Sequence, residues 1–324
     1  QPDLRRAALW VASRHPDWSP SLAAFLRTEQ SEAVRDTLVA FLNDPAIQSL
    51  VADQLTNQPA RRMFLLDALD QSGLRQFPAA WLDPLGRVLE DGDPAVRLRA
   101  IHLVRSRAIA GLDDRLARIQ TPDEHRLAAL AALVQRRPQL PAEAFDFLLR
   151  FLDPDSDAVF RQSAAQTLAK AQLTSDQLLT LSRRQFDPLI LPTLVEAFRH
   201  ATDEPVGLAL VDLLRRSPAA ASSIGAGRLR QLVSRFPPRV QAAARPVFSR
   251  FELQQRDRFE RLRRLEPLLT AGGDAARGRG IFYGPKVACG SCHTIGNQGG
   301  HVGPDLTAVG AVRSAHDILE AIVF

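Results

Sequence analysis

The sequence predicts an all-α protein in two parts: an array of repeated helix pairs over residues 1–268 and a small helical domain over residues 269–324. Three observations predict it. Through the first 265 or so residues apolar side chains recur three and four positions apart, and strand patterns are nearly absent. The helical segments resemble one another at an interval of about 31 residues. At "TAGGD", residues 270–274, the composition changes, and eleven of the 18 glycines fall between Gly272 and Gly310.

Taken in order, "SEAVRDTLVAFL", "DPAVRLRAIHLV", "DEHRLAALAALV" and "SDAVFRQSAAQTLAKA" each carry one apolar stripe at helical spacing. Asp93-Pro94 opens one helix with a capping carboxylate and a proline at the first helical position, where the missing amide costs nothing. Thr121-Pro122 is expected to do the same for another. Pro138, Pro141, Pro154, Pro188 and Pro218 punctuate the rest into helices of about 10 to 15 residues.

Aligning "EAVRDTLVAFL", "PAVRLRAIHLV" and "DAVFRQSAAQTL" sets Val34, Val96 and Val159 in register, 62 and 63 residues apart, with "ARRMFLLDAL" and "EHRLAALAAL" between them. A helix pair cannot bury its stripe alone, so stacked neighbours must supply the core. Antiparallel pairs of this length opening with Asp-Pro-x-Val-Arg resemble HEAT repeats. That likeness implies a HEAT-like helical-repeat solenoid and blurs between residues 172 and 202; a different all-helical bundle is the other arrangement compatible with the pattern.

The 324 residues, 45% hydrophobic and 24% charged, exclude a disordered chain, and no stretch approaches the ~20 apolar residues of a membrane-spanning helix. The chain starts at Gln1 without a signal-peptide pattern and stops within the apolar helical pattern "HDILEAIVF", so it is expected to be a piece of a longer protein, with the second domain incomplete at its C-terminus. The formal charge of +5 is carried by arginine, since Lys170 and Lys286 are the only lysines, which points to coding bias rather than function. Between Arg228 and Arg264 eleven arginines face only Glu252, Asp257 and Glu260. Such a run suits an acidic protein or nucleic acid; its simplest reading is a solvated helical face.

Both cysteines of the chain fall in "KVACGSCHTIGNQGGHVGPDL", residues 286–306, as Cys289-x-x-Cys292-His293. C-x-x-C-H is the attachment signature of c-type haem: two thiols add across the porphyrin vinyl groups, and the adjacent imidazole reaches the iron. A disulfide within so short a loop is strained and weakly stabilising. A thioredoxin-like pair needs a strand-helix-strand setting that "ARGRGIFYGPKVACGSC" lacks. Zinc on the two thiolates, His293 and His301 lacks the paired spacing of structural zinc sites.

The stretch "GDAARGRGIFYGPKVACGSCHTIGNQGGHVGPDLTAVG" resembles the start of a class I cytochrome c. In that family a first helix bearing a Gly and an aromatic, here Gly278 and Phe282 or Tyr283, leads into C-x-x-C-H, and a Gly-rich loop reaches a G-P-D-L segment. The resemblance implies Cys289 and Cys292 as the thioether residues, His293 as the proximal iron ligand, and the carbonyl of Pro304 as the acceptor that orients His293. Repeats running into such a domain resemble the haem-binding HEAT-repeat proteins, in which an upstream β-propeller often completes a membrane-bound dehydrogenase. No propeller pattern occurs here, so dehydrogenase activity is not assigned to this chain. Class I cytochromes generally use a methionine as sixth ligand; Met63, the only one, lies in a repeat pattern and is read as packing. The sixth ligand is expected beyond Phe324, with His301 and His316 as fallbacks. His15, His102, His125 and His200 are read as core-edge or surface residues.

These readings lead to an electron-transfer protein carrying haem c and its iron, with the helical repeats as scaffold or docking surface and a redox partner protein or dehydrogenase domain as partner. Thioether attachment places it in the periplasm or at the cell surface. The alternative is a basic helical-repeat scaffold for nucleic acid or an acidic protein, with a C-terminal zinc or non-metal motif.

Overall fold

The computed structural model describes residues 32–74, 76–300 and 302–324, with isolated positions before them: Leu4, Ala7, Val11, His15, Trp18, Ser21, Ala23, Leu26 and Arg27. The described chain is predominantly helical and divides into two compact units, Gln1–Ala243 and Ala244–Phe324. The composition change at 270–274 lies inside the second unit.

In the first unit, α1 (Glu32–Phe41), α2 (Pro45–Asn57), α3 (Arg62–Asp70), α4 (Leu82–Val88), α5 (Pro94–Ser106), α6 (Asp113–Ala117), α7 (Asp123–Leu133), α8 (Ala142–Arg150) and α9 (Ala158–Lys170) follow in order. Within pairs, α2 packs on α3, α4 on α5, α6 on α7 and α8 on α9. Between pairs, α1, α3, α5, α7 and α9 form a continuous row in which each touches the next. Their first residues, 32, 62, 94, 123 and 158, recur at about the interval seen in the sequence. The chain continues through α10 (Ser175–Ser182), α11 (Leu191–Leu194), α12 (Glu204–Arg216), α13 (Pro218–Ile224), α14 (Ala226–Val233) and the long α15 (Pro238–Leu265), which runs on into the second unit.

Caps explain where these helices start. Asp44, Asp93 and Asp157 each accept bonds from the second and third helical amides, as in Ala95 N–H to Asp93 Oδ1 at 2.8 Å, satisfying donors that a helix leaves orphaned. Thr174 and Gln177 form a reciprocal capping box on α10. Thr121 does not cap: α7 begins at Asp123, with Pro122 at the cap position and no side-chain bond. Asp123 and Glu124 in the first turn supply the favourable negative charge instead.

The caps also correct the register of the repeats. Ala100, Ile101, Leu103 and Val104, buried in α5, stand seven, eight, ten and eleven residues after Asp93; the same offsets from Asp157 give buried Ala164, Ala165, Thr167 and Leu168. The two helices are thus offset by 64 residues, and the shared Ala-Val pair misaligned them by one. Val34 and Val96 are buried, whereas Val159 is 73% exposed.

Arginine has a structural role that its abundance did not disclose. Arg61 donates to the carbonyls of Leu26 and Arg27, Arg107 to Leu74, Arg184 to Leu149, Arg199 to Ala169 and Lys170, Arg216 to Ser182, and Arg235 to Arg199. Each bond spans 29 to 36 residues, about one repeat. Several of the acceptors end helices, where the last carbonyls have no partner of their own. A guanidinium, with five fixed donors and weak hydration, suits this position better than an ammonium. Ion pairs from Arg99 to Asp67 and Asp70, and from Arg62 to Asp91, join neighbouring pairs in the same way.

Met63 is partly buried against the main apolar core, in keeping with a packing role. His15 stacks on Trp18, while His102 and His200 are exposed. His125, expected at an edge or surface, is instead 2% exposed, at the position of α7 that Val96 occupies in α5. Its Nδ1 has no hydrogen-bond partner among the described residues. Burial, and then the Arg97 guanidinium and more weakly His102, push its pKa below the ordinary histidine value, against Glu124 and the backbone at Pro94.

A histidine kept neutral by folding makes stability depend on pH. The unfolded chain takes up this proton near pH 6.5 and the folded chain only lower, so the contribution is complete above pH 6.5 and is lost as the pH falls below it. Urea midpoints at about pH 7.5 and about pH 5 should therefore differ less in His125→Leu than in the parent protein; equal differences would exclude His125 as the source.

Candidate functional site

The second unit contains the C-x-x-C-H motif. Its elements after α15 are a 3-10 turn (Glu266–Leu269), α16 (Ala275–Tyr283), a 3-10 turn (Cys289–Ser291), β1 (Thr294–Ile295), β2 (Gln298–Gly299), α17 (Val309–Val312) and α18 (Ala315–Val323). Asp274 caps α16 by accepting from Ala276 and Arg277, and Ser314 caps α18 in a reciprocal box with Asp317. α18 packs on the 266–269 turn, with Arg258 ion-paired to Glu320 and the guanidinium of Arg258 over the Phe324 ring at 4.3 Å.

The motif is a tight turn. Ser291 N–H donates to Ala288, and Cys292 and His293 N–H both donate to the Cys289 carbonyl, at 3.2 and 3.0 Å. Ala288 enters the turn in the left-handed conformation. Both cysteines are free thiols, Cys289 partly buried and Cys292 exposed. Of the two aromatic candidates on α16, Tyr283 is the one whose ring lies over Gly290 between the cysteines, and its hydroxyl donates to the Gln298 carbonyl at 3.1 Å. A groove of about 340 Å³ beside the motif is lined by Ala275, Gly278, Arg279, Phe282, Tyr283 and Ile295.

After the turn, the chain reverses through β1 and β2 and returns across the motif. Gly300 N–H donates to Gly290, Gly303 N–H to Cys292 at 2.7 Å, and Leu306 N–H to Thr294 at 2.8 Å. Two glycines make the approach possible. A Cβ on Gly300 would stand 1.9 Å from the Ser291 carbonyl oxygen, and one on Gly303 would stand 2.7 Å from the His293 ring.

This return brings Pro304 to His293. Nδ1 of His293 lies 2.9 Å from the Pro304 carbonyl oxygen. A carbonyl can only accept, so Nδ1 carries a proton, and in the neutral ring Nε2 is the nitrogen with the lone pair. The structure thus brings together all four residues singled out in the sequence: Cys289, Cys292, His293 and Pro304. His316 stands apart, 3.3 Å from Glu266. His301 lies outside the described residues.

The donor set, two thiols and an imidazole held at Nδ1 by a carbonyl, suits a large group held by two covalent bonds and one metal-ligand bond. The segment also exposes several apolar side chains. Among the described residues from 263 onward only Gly290 and Thr294 are buried, while Ile281, Val287, Ile295, Val302, Val312 and Ile322 are exposed. By contrast, no three His, Cys, Asp or Glu side chains among the described residues converge as a metal-binding group, and no described helix is long and apolar enough to cross a membrane.

Thr307 and Asp305 lie outside the C-x-x-C-H motif and contribute to the same loop. The Thr307 hydroxyl accepts from Gly296 N–H at 2.7 Å and donates to Asp305, which also accepts from Thr307 N–H. An Asp followed two residues later by Thr is the pattern of such a local turn, so a signal was present. No model of a known protein family matches the chain, and no curated protein or solved structure matches it either.

Gly300→Ala should force the two backbones apart, lowering stability by roughly 1–3 kcal/mol and speeding amide exchange at Gly300 and Gly303. Exchange unchanged from the parent protein would show that the loop accommodates a methyl group.

Proposed function

We propose that the C-terminal segment is a class I cytochrome c-like domain and that the protein transfers electrons. The observation that carries this reading is the hydrogen bond from His293 Nδ1 to the Pro304 carbonyl, next to two free thiols in C-x-x-C spacing. Cys289 and Cys292 would hold haem c through thioether bonds, and His293 Nε2 would be a ligand to its iron. When bound, such a group supplies one-electron transfer.

The chain's own residues do the rest. Pro304 holds the imidazole in one tautomer and makes it more electron-rich by accepting its proton in a hydrogen bond. Exposed apolar side chains of the segment such as Ile281 and Ile295 would suit contact with a bound macrocycle, and shielding from water would favour its reduced, less charged form. A zinc reading is less well supported, because a tetrahedral ion needs its ligands within about 2.0–2.3 Å of one point and no three such donors converge among the described residues.

The helical row of the first unit is read as a HEAT-like solenoid, a scaffold whose repeat-to-repeat contacts fit that architecture. A setting in the periplasm or at the cell surface follows from thioether attachment. A redox partner, or a dehydrogenase domain joined to the chain, would supply or take the electrons. An acidic protein partner is supported by the arginine run: Arg228, Arg235 and Arg239 are engaged with Glu196, the Arg199 carbonyl and Glu204, whereas the guanidinium groups of Arg245, Arg250, Arg256 and Arg263 have no polar partner among the described residues. With acidic residues interleaved on the same helix, nucleic acid fits less well.

Haem should stay with the polypeptide through denaturation and acid-acetone extraction when the protein is produced with c-type maturation machinery, and should be lost from Cys289→Ala/Cys292→Ala. A parent protein without covalent haem in its pyridine haemochrome spectrum would overturn the reading. For the arginine run, electron exchange with ferricyanide should slow with rising salt, less so in Arg256→Gln/Arg263→Gln. An identical salt response would remove these arginines from the docking surface.

A further inference from the structure

We propose that Asp305 and Thr307 are positioning residues for His293, acting through the Pro304 carbonyl; the inference rests on the reading of His293 as an iron ligand. A neutral N–H···O=C bond contributes only about 1 kcal/mol, and both Pro304 and the bond are exposed to water. Its geometry therefore depends on how firmly the segment around Pro304 is held.

The segment is tied down on both sides of Pro304. Before it, Gly303 N–H donates to the Cys292 carbonyl at 2.7 Å. After it, Leu306 N–H donates to Thr294 at 2.8 Å, and the Thr307 hydroxyl accepts from Gly296 N–H at 2.7 Å. The last tie is the one made by a side chain. The hydroxyl has a single hydrogen, and Asp305, an acceptor-only carboxylate, takes it; that choice turns a lone pair toward Gly296. Asp305 Oδ1 also accepts the Thr307 amide at 2.7 Å, so the residue directly after Pro304 is locked to the one two positions further on.

Together these bonds close residues 303–307 onto 292–296 with the Pro304 carbonyl aimed at Nδ1. Loosening the clamp allows the carbonyl to turn to water, and the His293 proton is then free to move to Nε2. That nitrogen would no longer offer a lone pair. A ligand bond that survives would come from a less electron-rich imidazole, which favours the reduced metal.

The test compares Thr307→Val, which keeps the shape and removes the hydroxyl, with Thr307→Ser, which restores it. In the haem-free chain at a pH where the imidazole is neutral, the 15N shifts of His293 report the tautomer. Thr307→Val should raise the Nε2–H fraction severalfold, and Thr307→Ser should match the parent protein. In the haem-loaded protein, Thr307→Val should raise the reduction potential and Thr307→Ser should not.

Parent-like tautomer ratios and potentials in Thr307→Val would overturn the proposal, since a residue that only stabilises the fold would leave both unmoved in the folded fraction. Should Thr307→Val fail to fold, Asp305→Ala is read by the same two measurements, with the same expected directions. If the parent protein takes up no covalent haem, the reading of His293 as an iron ligand fails, while the tautomer measurement still decides whether Thr307 positions the ring.

Discussion

The C-terminal site depends on one contact, the hydrogen bond between His293 Nδ1 and the Pro304 carbonyl. It engages one of the two ring nitrogens of a partly exposed histidine, so the ring is held in one orientation with Nε2 as the nitrogen not bonded to Pro304. Everything nearby serves that contact. The C-x-x-C turn sets the position of the histidine, the β1–β2 reversal brings the chain back, and Gly300 and Gly303 allow the returning strand to pass at a distance no side chain would permit. On the proposed reading, the same contact tunes the metal that the imidazole would bind.

The two units are stabilised in different ways. The first buries a continuous apolar core from Leu26 to Leu133, and the helical row continues it to α9. The helices of the row touch their neighbours in turn, and arginine bonds to carbonyls 29 to 36 residues away join them further. The part of the second unit that carries the motif has no such core among its described residues. Its turns are held by backbone hydrogen bonds and caps, which fix geometry well but contribute little net free energy each. A segment of this kind gains from any large apolar group it can enclose, which is why the proposed function accounts for its exposed isoleucines and valines.

His125 and the arginines show how physical context redefines a residue. His125, read from the sequence as a core-edge or surface residue, is 2% exposed in α7, and its Nδ1 has no hydrogen-bond partner among the described residues. Arginine, dismissed as a compositional bias, proves to be the side chain long and rigid enough to reach across one repeat and satisfy helix-end carbonyls.

The amino-acid order alone determined the helical class, the punctuation of the helices and the C-x-x-C-H motif, because each depends on spacing along a single segment: 3.6-residue periodicity, proline and aspartate caps, and thiols one turn apart. It also indicated Pro304, through a family resemblance. It failed where the answer depends on segments far apart in the chain. The one-residue slip at Val159 arose because two apolar residues look alike until a cap shows which one faces the core. The burial of His125, the placing of the Tyr283 ring over Gly290 and the bonds linking Asp305, Thr307 and Gly296 were decided by tertiary structure. Burial and hydrogen-bond closure are properties of surfaces that meet in space, and no spacing within one helix or turn encodes which surfaces those will be.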